Sequence, residues 1–375
     1  MEFTQGSLLF SISIILVAIT CAYIIQKTKL IPNINYKSGE YSAISGVRGL
    51  AAIFVYVNHA PYMLNTIGVK PSFSSWGWIY GNLGSFGVQI FFCITGFLFF
   101  DRIIKNNGEM SWNRFYEARI KRICPLFYTA CIAYFIIAFV ENKSVSLSAS
   151  DLQTAVSLMS FGFIESSMKI GEFNLYPING VIWTLVHEWR FYFALPLIAY
   201  AYANKKIGPL VLLIAIIAAI TDLYNSPLVC WAYFLTGIIT AIIYNKKISY
   251  LKSMSSLFSV IAIICLIVTM GAKINQGYNW QRYVISSIFF FSIILSSPFW
   301  LRFGPLKILG EISYSVYLLH LPILYVAIKL LNQFTDLNTI SFNSYWFFIL
   351  IVDVFIVFIS SISFRFIESR FMNTK

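Results

Sequence analysis

Eleven long apolar runs constrain this chain more than any other feature. They lie at residues 8–25, 47–65, 83–100, 123–140, 181–201, 208–222, 228–245, 255–272, 283–300, 312–331 and 344–364. A helix that crosses a hydrocarbon core needs roughly 20 mostly apolar residues. The expected fold is therefore all-α: a polytopic membrane protein of about 11 transmembrane helices, the sixth run being the shortest. Composition agrees. The chain is 58% hydrophobic and 11% charged, whereas soluble domains are about 45–50% apolar and about 25% charged. So few charges cannot cover a water-facing surface. A cytosolic enzyme, a secreted domain and a nucleic-acid-binding module are excluded. The net charge of +12 sits in short loops between apolar runs, where topology explains it, and no nucleic acid partner is expected. The six cysteines fall in or beside apolar segments with no C-x-x-C pattern, so no metal site is expected.

Lysine and arginine set the expected orientation. With the N-terminus outside, the loops at 26–48, 101–122, 202–207, 246–254 and 301–311 and the C-terminal tail face the cytoplasm. They carry 20 of the 27 basic residues. The outside connections carry Lys70, Lys143, Lys169, Lys273, Arg282 and Lys329, and an odd number of spans leaves the C-terminus inside. The first run has no basic residue before it and has Lys27 and Lys29 after it, so a retained anchor is expected rather than a cleaved signal. No polar tract is long enough for a separate soluble domain. The 141–180 connection holds an apolar stretch near 155–164, expected on the membrane surface.

Ionisable groups inside spans are costly and usually functional. Arg48 begins the second run and His59 lies eleven residues on. That spacing is three turns plus about 20°, so both share a helix face, roughly 16 Å apart along the axis. A snorkelling anchor and a hydrogen-bonded structural histidine are the plainer roles for the two taken singly. The fifth run carries WTLVHEWRFYF, in which Thr184, Glu188 and Tyr192 recur at i, i+4 and i+8 as one polar stripe. Glu188 and Arg190 diverge at i, i+2, so Glu188 is expected to meet another helix. Counting rise, Glu188 lies about 20 Å and His59 about 18 Å from the inner face. At similar depth, the carboxylate is placed to orient the imidazole. In the tenth run, Ser313, Tyr317 and His320 share a face. Thr95 and Gly96 in FFCITGFL suit close helix contact. The 101–122 loop ends in Arg114, Arg119, Lys121 and Arg122. These serve topology and anionic lipid, or a phosphate site, which arginine forks grip bidentately.

Taken together, these segments resemble the membrane acyltransferase 3 family, which includes bacterial O-acetyltransferases of O-antigen, exopolysaccharide and peptidoglycan. The R-x10-H motif is matched by Arg48 and His59 in VRGLAAIFVYVNHA. The FFxxSGFL-like segment is matched by FFCITGFL, with Thr95 in place of serine. Arg119 and Arg122, followed by Ile123 and Pro125, match its RxxR loop. Trp183, Thr184, Leu185, Glu188, Phe191 and Tyr192 match W-[ST]-L-x-x-E-x-x-F-Y, and Ser313 to Pro322 match SYSxYLxHxP. The likeness runs from about 41 to 370. It implies a ten-helix acyltransferase domain at 41–375, with 1–40 as an extra N-terminal helix and linker. No hydrolase-like appended domain of the kind some relatives carry is expected.

The resemblance implies acetyl-CoA as donor, a glycan or lipid-linked glycan hydroxyl as acceptor, and the bacterial cytoplasmic membrane as location. On that pattern His59 and Glu188 are catalytic. His59 acts as base, or carries the acetyl group itself; Glu188 orients the imidazole or holds the sugar. Arg48, Arg114, Arg119 and Arg122 hold the donor; Trp183, Tyr192, Tyr317 and His320 are candidates for the acceptor site. A pantetheine arm is about as long as the ~16 Å between Arg48 and His59. The competing class is a polytopic transporter of a glycan or lipid-linked sugar, which would use no acyl donor. A structural membrane protein in which His59 and Glu188 merely pair is a third reading.

Overall fold

The computed structural model describes residues 5–28, 30–31, 42–71, 73, 77–142, 148–274 and 277–372. The first loop's Lys29 and most of the 26–46 linker, and Lys143, lie outside these residues. The helices are α1 (Gln5–Thr28), α2 (Ser42–Thr66), α3 (Trp78–Lys105), α4 (Trp112–Glu141), α5 (Ala149–Met159), α6 (Tyr176–Asn179), α7 (Trp183–Ala203) and α8 (Ile207–Asn225). They continue as α9 (Trp231–Asn245), α10 (Ser249–Ser253), α11 (Ser255–Gly271), α12 (Trp280–Ser296), α13 (Gly304–Glu311), α14 (Ser313–Leu331), α15 (Phe342–Ser363) and α16 (Ser369–Met372). The strands β1 (Lys169–Ile170) and β2 (Phe173–Asn174) form one small antiparallel pair.

Each apolar run coincides with one helix. Among the described residues, six helices are long and apolar enough to cross a membrane: α1, α3, α4, α8, α14 and α15 with its extension to Met372. The helices α9, α11 and α12 are apolar but shorter. Helices α2 and α7, of 25 and 21 residues, have the length but carry the polar side chains. The run at 283–300 ends early, because Ser297 turns to φ 43° and Pro298 follows. The first half of the 155–164 stretch is the end of α5, whose Leu152, Val156 and Met159 form one exposed apolar side. Its N-terminus is closed by a capping box between Ser148 and Asp151.

Helix α2 is the axis of the bundle. It is buried almost throughout and packs on α3, α13 and α14. Two close approaches are made by glycine. A Cβ on Gly96 would strike the Phe234 carbonyl, and one on Gly237 the Cys93 carbonyl, so the α3 and α9 backbones touch. Helix α1 lies along α15 and α13, with Trp346 Nε1 donating to Ser13 at 2.8 Å and Phe10 ringed by Tyr80, Phe342 and Trp346.

Contacts between loops define two ends. Asn245 donates to Asp101 at 2.7 Å, Lys105 pairs with Asp101 at 3.1 Å, and Gly108 lies beside Ala203. This is the basic end. At the opposite end Leu228 bridges Tyr278, and Lys329 pairs with Glu141 at 2.9 Å.

Prolines inside helices tie α4 to its neighbours. A proline leaves the carbonyl four residues earlier without its helical donor, and a buried orphan carbonyl needs a partner. Pro196 frees the Tyr192 carbonyl, which accepts from Tyr116 at 3.1 Å. Pro322 frees that of Leu318, which accepts from Tyr134 at 3.3 Å. Two α4 tyrosines thus fix the helices that carry Glu188 and His320.

Candidate active site

At the basic end, α2, α3, α4, α7 and α14 enclose a cavity of about 360 Å³. Arg48, Arg119 and Arg122 line it, together with Glu188, Tyr192 and Glu311. The R-x-x-R spacing puts Arg119 and Arg122 on one side of α4, since i and i+3 are helix neighbours. Arg114, five residues before Arg119, lies about 140° round the helix and stands exposed, outside the cavity. Arg48 Nη2 donates to Ser313 at 3.1 Å, joining α2 to the start of α14. Arg119 stacks over Phe99 at 5.1 Å, and its Nε is buried with no hydrogen-bond partner among the described residues. Arg122 is committed to the protein. Its Nη1 lies 3.4 Å from Glu368, and the two side chains are 13% and 0% exposed. Ser315 donates to that same carboxylate.

Glu188 accepts from the Tyr192 hydroxyl, one turn further along α7, and faces the field of Arg119, Arg48 and Arg122. It therefore belongs to the arginine cavity. His59 has another partner. Its Nδ1 lies 2.8 Å from Nε2 of His320, and the rings stack with centroids 5.1 Å apart and planes 21° from parallel. The pairing of Glu188 with His59 that depth suggested is thus replaced by a pair of imidazoles from α2 and α14.

The backbone decides where the protons of that pair sit. His320 Nδ1 is 3.0 Å from the Val316 carbonyl, which only accepts. His320 Nδ1 therefore carries the proton and its Nε2 is an acceptor. His59 must then donate from Nδ1, which leaves His59 Nε2 with a free lone pair. That is the form a general base needs. His59 lines a second, small cavity of about 20 Å³ toward the opposite end, with Tyr62, Tyr176 and Gly180 among its walls.

A partition separates the two cavities. Tyr317 lines the arginine cavity, and its hydroxyl lies 2.8 Å from Thr184 Oγ1 and 3.2 Å from the Val181 carbonyl. The Tyr317 ring is 6.3 Å from that of His320. Of the four acceptor-site candidates, Tyr192 and Tyr317 line the arginine cavity, His320 supports His59, and Trp183 stands exposed on another face of α7. Glu368 is the functional neighbour that the sequence reading passed over. Its signal was a carboxylate held in FRFIESRF, at the end of the last apolar run.

The profile described as "Acyltransferase domain" of the acyltransferase 3 type matches residues 41–365, most of the chain. The chain belongs to the acyltransferase 3 family. Helix α1 precedes the matched segment. The chain is similar to O-acetyltransferase OatA of Staphylococcus aureus (strain NCTC 8325 / PS 47), 24% identical over 372 residues, covering 89% of this chain and 57% of the relative. It thus spans little more than half the length of that relative. Nodulation protein 10 of Rhizobium leguminosarum bv. viciae is 24% identical over 374 residues, covering 92% of this chain and 96% of its own. Putative acetyltransferase ORF330 of Acidianus two-tailed virus is 26% identical over 289 residues, covering 74% and 82%. No solved structure matches the chain.

Proposed function

We propose that this chain is a membrane O-acetyltransferase that moves an acetyl group from acetyl-CoA to a hydroxyl of a surface glycan. In this reading about eleven helices cross the bacterial cytoplasmic membrane, with the N-terminus outside and the basic end and C-terminus in the cytoplasm. The observation that carries it is the alignment of the family motifs on two sides of one partition. An arginine cavity with an unpaired donor on Arg119 lies at the basic end, and an imidazole with a free Nε2 lies on the other side.

The donor enters from the basic end. Arg119 lines the cavity, and a small turn of its side chain brings the buried, unpaired Nε–H to a phosphate oxygen, while Arg48 adds charge at the start of α2. Arg122, already neutralised by Glu368, shapes the wall and contributes less to binding. The thioester arm extends toward His59, some ~16 Å of helix rise from Arg48, by displacing the Tyr317 hydroxyl from Thr184. An acceptor hydroxyl in the small cavity gives its proton to His59 Nε2 as its oxygen attacks the thioester carbonyl. The tetrahedral intermediate collapses, the C–S bond breaks, and the imidazolium returns the proton to the departing thiolate. His320 accepts from the His59 imidazolium throughout, so it positions and stabilises the base. Glu188 and Tyr192 hold Arg119 in place.

The test is purified protein with labelled acetyl-CoA and a glycan hydroxyl acceptor. Label on the glycan is the expected result. A transporter would leave the glycan unlabelled.

A further inference from the structure

A larger cleft lies outside this site. Helix α8 is buried only at Ala219 and Leu223, so it stands off from α7 and α9 and leaves a cleft of about 810 Å³ between the three. Its walls are apolar, with Phe191, Ala194 and Ile198 of α7 facing Leu212 of α8 and Phe234 of α9. Polar groups interrupt them toward both ends of α7, His187 and Arg190 at one and Tyr202 and Lys205 at the other, where Lys205 adjoins the basic end.

Arg190 needs explaining. It stands exposed on α7, about 10 Å of helix rise below Trp183, and a cation flanked by apolar helices is costly in a bilayer unless matched. Among the described residues no hydrogen bond or ion pair engages its guanidinium, and the titratable group that feels its charge, His187, is no counter-charge. Side chains on a helix lean toward its N-terminus, so the guanidinium reaches toward the Trp183 end.

Helix α7 presents these residues in a fixed order. Trp183, His187, Arg190, Phe191, Ala194 and Ile198 fall within about 100° of arc. Thr184, Glu188 and Tyr192 occupy the neighbouring arc, toward the arginine cavity. Read from the outer end, this face of α7 offers an exposed aromatic ring just beyond the cleft lining, then a cationic group, then hydrocarbon that runs on to Lys205 at the basic end. Trp183 is held edge-on by Tyr278 and His187, 5.6 and 5.8 Å away. Aromatic faces suit sugars, guanidinium forks suit phosphate, and an apolar trough suits a lipid tail.

We propose that the cleft between α7, α8 and α9 seats a glycosyl phospholipid, with its tail along Phe191 to Ile198, its phosphate on Arg190 and its first sugar against Trp183. On the acetyl-transfer reading, this lipid is the acceptor. Gly180, in the wall of the His59 cavity, lies three residues before Trp183, so one short segment borders both places.

The experiment measures retention of three probes by the purified full chain in phosphatidylcholine nanodiscs. The probes are a hexadecyl phosphodiester of glucose, hexadecyl glucoside and phosphatidylglycerol. The phosphodiester is expected to bind roughly tenfold or more tightly than the glucoside, the worth of one charge-assisted hydrogen bond. It is also expected to outcompete phosphatidylglycerol. Arg190→Ala should erase the advantage of the phosphate, and Trp183→Ala that of the sugar. Ala194→Trp, which fills the cleft, should weaken both glucosyl probes. Equal retention of the two glucosyl probes by wild type, or of the phosphodiester and phosphatidylglycerol, overturns the proposal. The measurement reads binding alone, so it is separable from the enzymatic reading. Retention without acetyl transfer keeps the site, whereas transfer to a soluble glycan by a protein that retains none of the probes removes it.

Discussion

Replacing His320 with alanine tests the tautomer argument directly. In the wild-type chain His59 Nδ1–H donates to His320 Nε2 at 2.8 Å, and the Val316 carbonyl holds His320 in the accepting form. When His59 takes a proton, that bond becomes one from a cation, worth about 1.5–3 kcal/mol. The neutral bond of the resting state is worth about 0.5–1.5 kcal/mol. Its loss therefore takes about 1–1.5 kcal/mol more from the transition state than from the ground state and should lower kcat roughly 5- to 13-fold, at about 1.4 kcal/mol per tenfold. The KM for acetyl-CoA should hold, because His320 does not line the arginine cavity. His320→Gln, which restores an acceptor near the same place, should recover part of the rate. The assay is acetyl transfer from labelled acetyl-CoA by purified protein, with accumulation and monodisperse elution as the folding control. Wild-type kcat in the alanine variant would refute the reasoning. A loss confined to acceptor KM would instead give His320 the substrate contact that its motif suggested.

Three further outcomes follow from particular contacts. Arg119→Ala should raise the KM for acetyl-CoA about tenfold, the loss of one charge-assisted bond, while Arg114→Ala leaves it unchanged; donor titrations check both. Arg122→Ala is the poorer probe, since it strands the buried Glu368 carboxylate at a cost of about 3–5 kcal/mol. Tyr134→Phe leaves the Leu318 carbonyl, already freed by Pro322, without a donor. It should cost about 1–3 kcal/mol, read as a lower Tm in detergent. Asp151 is held below the usual carboxylate range by the Ser148 hydroxyl, then the Ser148 and Gly171 N–H groups. The stability it lends the 148–174 segment is complete above the ordinary aspartate value and fades as pH falls through the lowered one. Protection from hydrogen exchange there, taken relative to the intrinsic amide rate at each pH, should fall in acid in the wild type, and Asp151→Asn should remove that dependence.

Periodicity carried much of this site, and its limits are those of a single helix. The Thr184, Glu188, Tyr192 stripe does line one cavity, and the R-x-x-R pair faces it, because rise and twist are properties of one segment. The same arithmetic put Glu188 and His59 at one depth. Depth says nothing of azimuth between helices, and the residue at His59 lies 261 positions away on α14. Trp183 adjoins Thr184 in sequence but stands about 100° round the helix, on the cleft side. Arg122 met a carboxylate, Glu368, from the far end of the chain. Asp353, buried in α15, has no hydrogen-bond partner among the described residues, and no pattern in the sequence marked it. The close approach at Gly96 was legible, because only a residue without a side chain fits there.

The most direct measurement is acetyl transfer by the His59→Ala protein beside the wild type, in one membrane preparation with labelled acetyl-CoA and acceptor glycan. The wild type should label the glycan, while the variant accumulates equally and leaves it unlabelled. Equal labelling by both would place the chemistry elsewhere than on this imidazole.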